Sequence, residues 1–132
     1  SFEKEVASIA LFRTAVEFFF NTTLPQIAAQ RVVMLAVPPG HVNCHQQARF
    51  GSAPARHHIY GWHLHQRFNE ILRQHCRAFQ VQFLDIFSLS NTRQDGHPAQ
   101  HVDQSSDCLH WCNPGPTSII NSWSDSLFNL IF

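Results

Sequence analysis

Arg31-Val-Val-Met-Leu-Ala-Val37, closed by Pro38-Pro39-Gly40, is a short run of β-branched and aliphatic residues ended by turn formers. That is the profile of a strand buried on both faces. Gln80 to Phe87, with Val81, Phe83, Leu84 and Ile86, reads as a second strand. Between them Leu64, Phe68, Ile71, Leu72 and Phe79 fall on one helical face. Upstream, Phe2, Val6, Ile9, Phe12, Val16 and Phe20 recur at three- and four-residue steps, which predicts an amphipathic helix ending between Asn21 and Pro25. A last helix is expected from about Pro116, burying Ile119, Ile120, Trp123, Leu127 and Leu130, with proline near its first turn where a missing N–H is tolerated. The order helix, strand, helix, strand, helix predicts an α/β fold with parallel strands covered by helices. Two parallel strands make a poor sheet, because doubly wound domains carry about five or six. The expectation is therefore the C-terminal part of a larger α/β domain, incomplete within these 132 residues.

Composition excludes several classes. With 44% hydrophobic residues and no net charge, the chain is too apolar and too neutral for a disordered tail. Nine Lys plus Arg against nine Asp plus Glu leave no global field to hold a polyanion, so nucleic acid is not an expected partner. No apolar run approaches the roughly 18 residues of a membrane span. Nor does residue 1 begin a signal-peptide layout. Ten histidines raise the question of metal. The groupings His41, Cys44 and His45, then His57 and His58, then Cys108, His110 and Cys112 lack the paired spacing of a tetrahedral zinc site, so no metal and no cofactor are expected. The four cysteines are alternatively bridges, which would imply an oxidising compartment, and the sequon Asn21-Thr22-Thr23 points the same way.

Ligands of open parallel sheets bind beyond the carboxyl ends of the strands. Two long polar loops leave from those ends, His41 to about His58 and Ser88 to Gly115. The second contains Asp107-Cys-Leu-His110, an acid and a histidine three residues apart. In a tight turn both side chains reach the same side, so the carboxylate can fix the imidazole tautomer and stabilise the imidazolium while His110 takes a proton from an alcohol.

Asp107-Cys-Leu-His-Trp-Cys-Asn-Pro-Gly115 with Trp123 closely resembles the C-terminal signature of the trichome birefringence-like proteins, the plant and algal branch of the PC-esterase group in the GDSL/SGNH superfamily. Arg93-Gln-Asp95-Gly96-His97-Pro98-Ala99 matches a second block, in the family's order and at roughly its separation. Pro39-Gly40-His41 looks like the family's Ser-Pro-x-His segment, with Pro38 where serine is expected and Leu35 where the family usually has arginine. The similarity runs from about Arg31 to the end and is strongest from Arg93 onward.

The resemblance implies a three-layer αβα SGNH-like domain and a polysaccharide O-acetyltransferase working by a Ser-His-Asp triad. Asp107 is then the orienting carboxylate and His110 the general base. The family's nucleophile lies in a Gly-Asp-Ser motif that this sequence lacks, so these residues alone are expected to be inert. A carbohydrate acetylesterase and a non-catalytic glycan-binding or scaffolding relative are the alternatives. The implied partners are a polysaccharide or oligosaccharide and an acetyl donor, in the Golgi lumen, with a membrane anchor upstream of Ser1. Family precedent favours disulfides, with Cys44 to Cys108 joining the strand-end loops, Cys112 paired outside this stretch and Cys76 simply buried. Trp111 is expected to pack beneath the loop. Arg93, Asp95 and Gly96 are expected to form a self-bonded turn with Gly96 at positive φ, with the role of His97 open. His57, His58, His63, His65 and His75 are expected to be solvated or helix-surface residues.

Overall fold

The computed structural model describes residues 2–44, 60–98, 107–112 and 118–132. Helix α1 spans Phe2–Phe18, widens into a π turn at Phe19–Thr23 and tightens at Leu24–Gln26. Pro25, which has no N–H to donate, sits within that tight turn, and the helical path ends at Ile27, whose backbone is extended. Strand β1 is Val33–Leu35, α2 is His65–Ala78, β2 is Gln82–Leu84, α3 is Ile86–Ser90 and α4 is Ile120–Ile131. The strands pair in parallel, Val33 with Gln82, Met34 with Phe83 and Leu35 with Leu84. The pairing extends by one bond from the Ala36 N–H to the Leu84 carbonyl at 2.9 Å. The α/β reading with parallel strands therefore holds.

Two apolar clusters flank this ribbon. Val16 of α1 and Phe20 of the π turn meet Ile71, Leu72 and Cys76 of α2, with Met34 and Phe83 packed against them. Ala36, Leu84 and Ile86 form the second cluster, covered by Trp123, Leu127 and Leu130 of α4. Phe83 packs against both clusters and so links the residues of α1 and α2 to those of α4.

Several sequence expectations are corrected. β1 is not buried on both faces, since Leu35 is 44% exposed. Phe2 and Val6 share the predicted apolar face of α1 yet stand in solvent, because α1 meets α2 only through its later turns. α2 stops before Phe79, and Gln80 takes a left-handed φ of 57°. Bonds from Gln80 N–H to the Arg77 carbonyl and from Val81 N–H to the Cys76 carbonyl complete a Schellman cap there. Gln80 is thus a helix cap, and β2 begins after it. β2 also ends early, because Asp85 caps a helix. Its Oδ1 accepts from the Ser88 N–H at 3.1 Å, while Oδ2 accepts from Arg73 at 2.7 Å. Ile86 and Phe87 therefore begin α3, and Ser88 to Ser90 are helical instead of loop. α4 begins at Ile120, later than expected; Pro116 lies outside the described residues, as do His45, His57, His58, Ala99 and Asn113 to Gly115.

The exit from β1 is held by α2. Asn69 is buried, and its side chain accepts from the Val37 N–H at 2.7 Å and donates to the Val37 carbonyl at 2.9 Å. His65 Nδ1 lies 2.8 Å from the Pro38 carbonyl and donates to it. Replacing Asn69 with Ala strands both backbone groups of Val37. We expect a loss of about 2–4 kcal/mol in denaturant unfolding, where an ordinary surface substitution would cost about 0.5 kcal/mol or less.

Candidate active site

The chain leaving β1 and the chain leaving β2 meet at residues 107–112. Cys44 and Cys108 form a disulfide across 64 residues, the pairing expected to join the two strand-end loops. Closing a loop of that length restricts the unfolded chain by about 4 kcal/mol in the chain-entropy account. The His41 N–H donates to the Cys108 carbonyl at 2.9 Å, and the Cys112 N–H donates to the Gly96 carbonyl at 2.8 Å. The segment is thus tied to both strand-end loops.

Inside it, Asp107 and His110 face each other as their spacing predicts. Asp107 Oδ1 accepts from the N–H groups of Leu109 and His110, each at 3.0 Å. Asp107 Oδ2 lies 2.7 Å from His110 Nδ1. Burial alone would raise the Asp107 carboxyl. The hydrogen bonds from the His110 and Leu109 amides and the His110 ring outweigh it and hold the group below the usual carboxylate range. An ionised Asp107 accepts at Nδ1–H, which leaves Nε2 of a neutral His110 with its lone pair. The His110 side chain is 77% exposed. It borders an open groove of about 500 Å³ that is also lined by Pro38, His65, Leu109, Trp111 and Trp123. The pair can therefore accept a proton from a hydroxyl brought to that groove.

Beneath the pair lies a second, closed array. His41 and His97 have no exposed surface. His41 Nδ1 and His97 Nε2 are 2.7 Å apart, His41 Nε2 is 2.9 Å from the Asn91 carbonyl, and His97 Nδ1 is 2.7 Å from the His110 carbonyl. Burial pushes His97 down to about 4, opposed by its bond to the His110 carbonyl and by the Asp107 and Asp95 carboxylates. Burial also lowers His41, opposed by the Asn91 carbonyl, to which a protonated ring would donate.

Trp111 packs as expected, its ring 4.2 Å from that of His97 and edge-on to Trp123 at 5.7 Å. Trp123 in turn donates from Nε1 to Ser90 Oγ at 2.9 Å. Arg93 grips Asp95 through Nε at 2.8 Å and a second nitrogen at 3.0 Å, the self-bonded turn that was expected. Gly96 is needed for a different reason than expected. Its φ is not left-handed, as that of Gly61 is, but an added Cβ would sit 2.8 Å from Trp111 Cε3. Three of the histidines expected to be solvated or on a helix surface make specific contacts: His63 pairs with Glu5 at 3.2 Å, His65 holds Pro38, and His75 Nδ1 donates to the Ile71 carbonyl of its own helix. Sequence reasoning missed Asn69 altogether and placed His65 on the surface, and no local pattern marks the role of either. It quoted His41 and His97 as motif residues, without their contact.

Among the described residues, no three His, Cys, Asp or Glu side chains converge on a metal position. Nor is any described helix long and apolar enough to cross a membrane.

Residues 3–130 match the PC-esterase model, described as a GDSL/SGNH-like acyl-esterase family found in Pmr5 and Cas1p. This chain belongs to the PC-esterase family. It is 26% identical to xyloglucan O-acetyltransferase 1 of Arabidopsis thaliana over 147 aligned positions, covering 96% of this chain and 34% of that protein. It is 32% identical to trichome birefringence-like protein 12 of Arabidopsis thaliana, covering 50% of this chain and 17% of the relative. With xyloglucan O-acetyltransferase 1 of Populus trichocarpa it shares 36% identity over 40% of this chain and 14% of the relative. The chain thus spans about a third or less of these relatives. No solved structure matches it.

The depressed His97 makes a pH prediction. Its folded pKa lies below the unfolded value near 6.5, so the unfolded state binds more protons between about 6.5 and about 4. The stability that neutral His97 contributes is complete above pH 6.5 and is lost as pH falls through that window, on the order of 3 kcal/mol in all. Unfolding free energies measured from pH 7 to pH 4 should fall accordingly. The decline should be markedly shallower in His97→Asn; equal slopes would show that His97 does not carry it.

Proposed function

We propose that this chain supplies the base and its orienting carboxylate to the Ser-His-Asp triad of a polysaccharide O-acetyltransferase. The observation that carries this reading is the Asp107–His110 pair. The carboxylate is held by two backbone amides and the ring, and the imidazole is open to a groove. Support also comes from the family match and from relatives named xyloglucan O-acetyltransferase. Residues 1–132 are read as the C-terminal part of a single SGNH-like domain of three αβα layers. The serine comes from a segment outside these residues, since no Gly-Asp-Ser occurs within them.

In the first half-reaction the serine Oγ attacks the donor's acetyl carbonyl while its proton passes to His110 Nε2. The acyl bond to the leaving group breaks, and the leaving group takes that proton from His110. In the second, His110 accepts the proton of a glycan hydroxyl as its oxygen attacks the acyl-enzyme. The serine then leaves with the proton. Asp107 stays ionised throughout and stabilises the transient imidazolium. The groove beside Trp111 and Trp123 receives the acetyl donor or the sugar. A secretory-pathway compartment such as the Golgi lumen suits the Cys44–Cys108 bridge.

The test uses the full-length protein containing this chain, an acetyl donor and a xyloglucan oligosaccharide. His110→Ala should lower kcat by about 10³-fold or more with secretion and folding intact. Persistent turnover in that variant would remove His110 as the base. Acetate release without acetylated sugar would assign hydrolysis, and no turnover in the parent protein would favour a glycan-binding or scaffolding role.

A further inference from the structure

The buried array beneath the triad pair poses a proton-counting problem. Asn91 carbonyl, His41, His97 and His110 carbonyl lie in a row with contacts of 2.9, 2.7 and 2.7 Å. Neither carbonyl can donate, so three hydrogen bonds require three ring N–H groups. Two neutral imidazoles own only two. Complete burial of both rings disfavours a third proton at neutral pH. One contact must therefore set a nitrogen lone pair against another lone pair.

Three arrangements are available. Donation to both carbonyls opposes two ring lone pairs at 2.7 Å. Donation from His97 to His41 and on to Asn91 opposes His97 Nδ1 to the His110 carbonyl, also at 2.7 Å. Donation from His41 Nδ1 to His97 Nε2, and from His97 Nδ1 to the His110 carbonyl, leaves the mismatch at the longest contact, 2.9 Å at Asn91. This last arrangement is the least repulsive. It also aligns two N–H groups in one direction, so each polarises the next. Arg93 is turned away onto Asp95, and the indole of Trp111 closes the face of His97.

We propose that His97 is a positioning residue for the general base, donating Nδ1–H to the His110 carbonyl, and that His41 sets the His97 tautomer by donating into Nε2. The role in catalysis rests on the acyl-transfer reading above; the tautomers do not. Residue 110 is then held at three places: its amide and ring by Asp107, and its carbonyl by His97. Asp107 fixes which nitrogen of His110 accepts a proton. His97 fixes where that nitrogen lies relative to a nucleophile from elsewhere, and a displacement of about 1 Å there costs about 10²-fold in rate.

Two experiments test the proposal. In the protein labelled with ¹⁵N at histidine, the ring-nitrogen shifts at neutral pH should show His41 and His97 both protonated at Nδ1, with a hydrogen-bond coupling from His97 Nδ1–H to the His110 carbonyl. His97 protonated at Nε2 alone would overturn the assignment, whatever the activity. In the full-length enzyme, His97→Leu should lower kcat by about 10–100-fold with KM within about 3-fold. His97→Asn, whose amide keeps a donor near the Nδ1 position, should restore most of that loss. A folded His97→Leu protein with unchanged kcat, or equal losses in the two variants, would deny the positioning role. Turnover surviving in His110→Ala would instead sink the acyl-transfer reading and leave the tautomer result standing.

Discussion

Residues 107–112 have no helix or strand to stiffen them, so the geometry of the Asp107–His110 pair depends on what anchors that stretch from outside. The anchor with the smallest tolerance is the array of two fully buried imidazoles between the Asn91 and His110 carbonyls. A buried polar group without a partner costs about 1–3 kcal/mol, so each ring is held where its neighbour can be reached. The disulfide at Cys108 and the amide bonds at Cys108 and Cys112 limit how far the stretch can travel. The histidine array limits how residue 110 itself is turned. A six-residue segment outside any helix or strand is thereby given the precision of an element built into the core.

The anchoring extends back to the sheet. His41 follows directly on the segment that Asn69 and His65 pin to α2, and Asn91 follows α3, whose start is set by the Asp85 cap. A further brace comes from α4, where Trp123 bonds Ser90 and meets Trp111. Both parallel strands thus deliver their loops to the same place at their carboxyl ends, where open α/β sheets bind ligands. Gly96 allows Trp111 to lie directly against the backbone, and the indole then shields His97 from water. Shielding matters chemically, because it keeps His97 neutral down to acid pH.

Much of this was legible in the sequence. The order of helices and strands, the parallel pairing and the Asp-x-x-His contact follow from period, length and spacing, which are local properties. Family precedent and the sequon favoured disulfides, and among the three pairings that four cysteines allow, Cys44–Cys108 was the one that would join the two strand-end loops. The start of α3 was also written locally, as Asp85 followed three residues later by Ser88. There the apolar run Phe83-Leu-Asp-Ile-Phe87 drew the strand too long, because apolar alternation and an N-cap compete for the same residues. The left-handed Gln80 carries no glycine to announce it. Asn69, His65 and the His41–His97 contact could not be read, because each depends on residues about 27 to 56 positions apart that only the fold brings together.

The central claim is that this scaffold presents His110 Nε2 to a serine hydroxyl while Asp107 holds the opposite nitrogen. A crystal structure of the full-length protein with a phosphonate on its nucleophilic serine measures that directly. The account predicts His110 Nε2 within about 3.2 Å of the serine or phosphonate oxygen, with the Asp107 contact and the His97 bond to the His110 carbonyl intact. A His110 ring turned away from the modified serine, or a different histidine in its place, would contradict it.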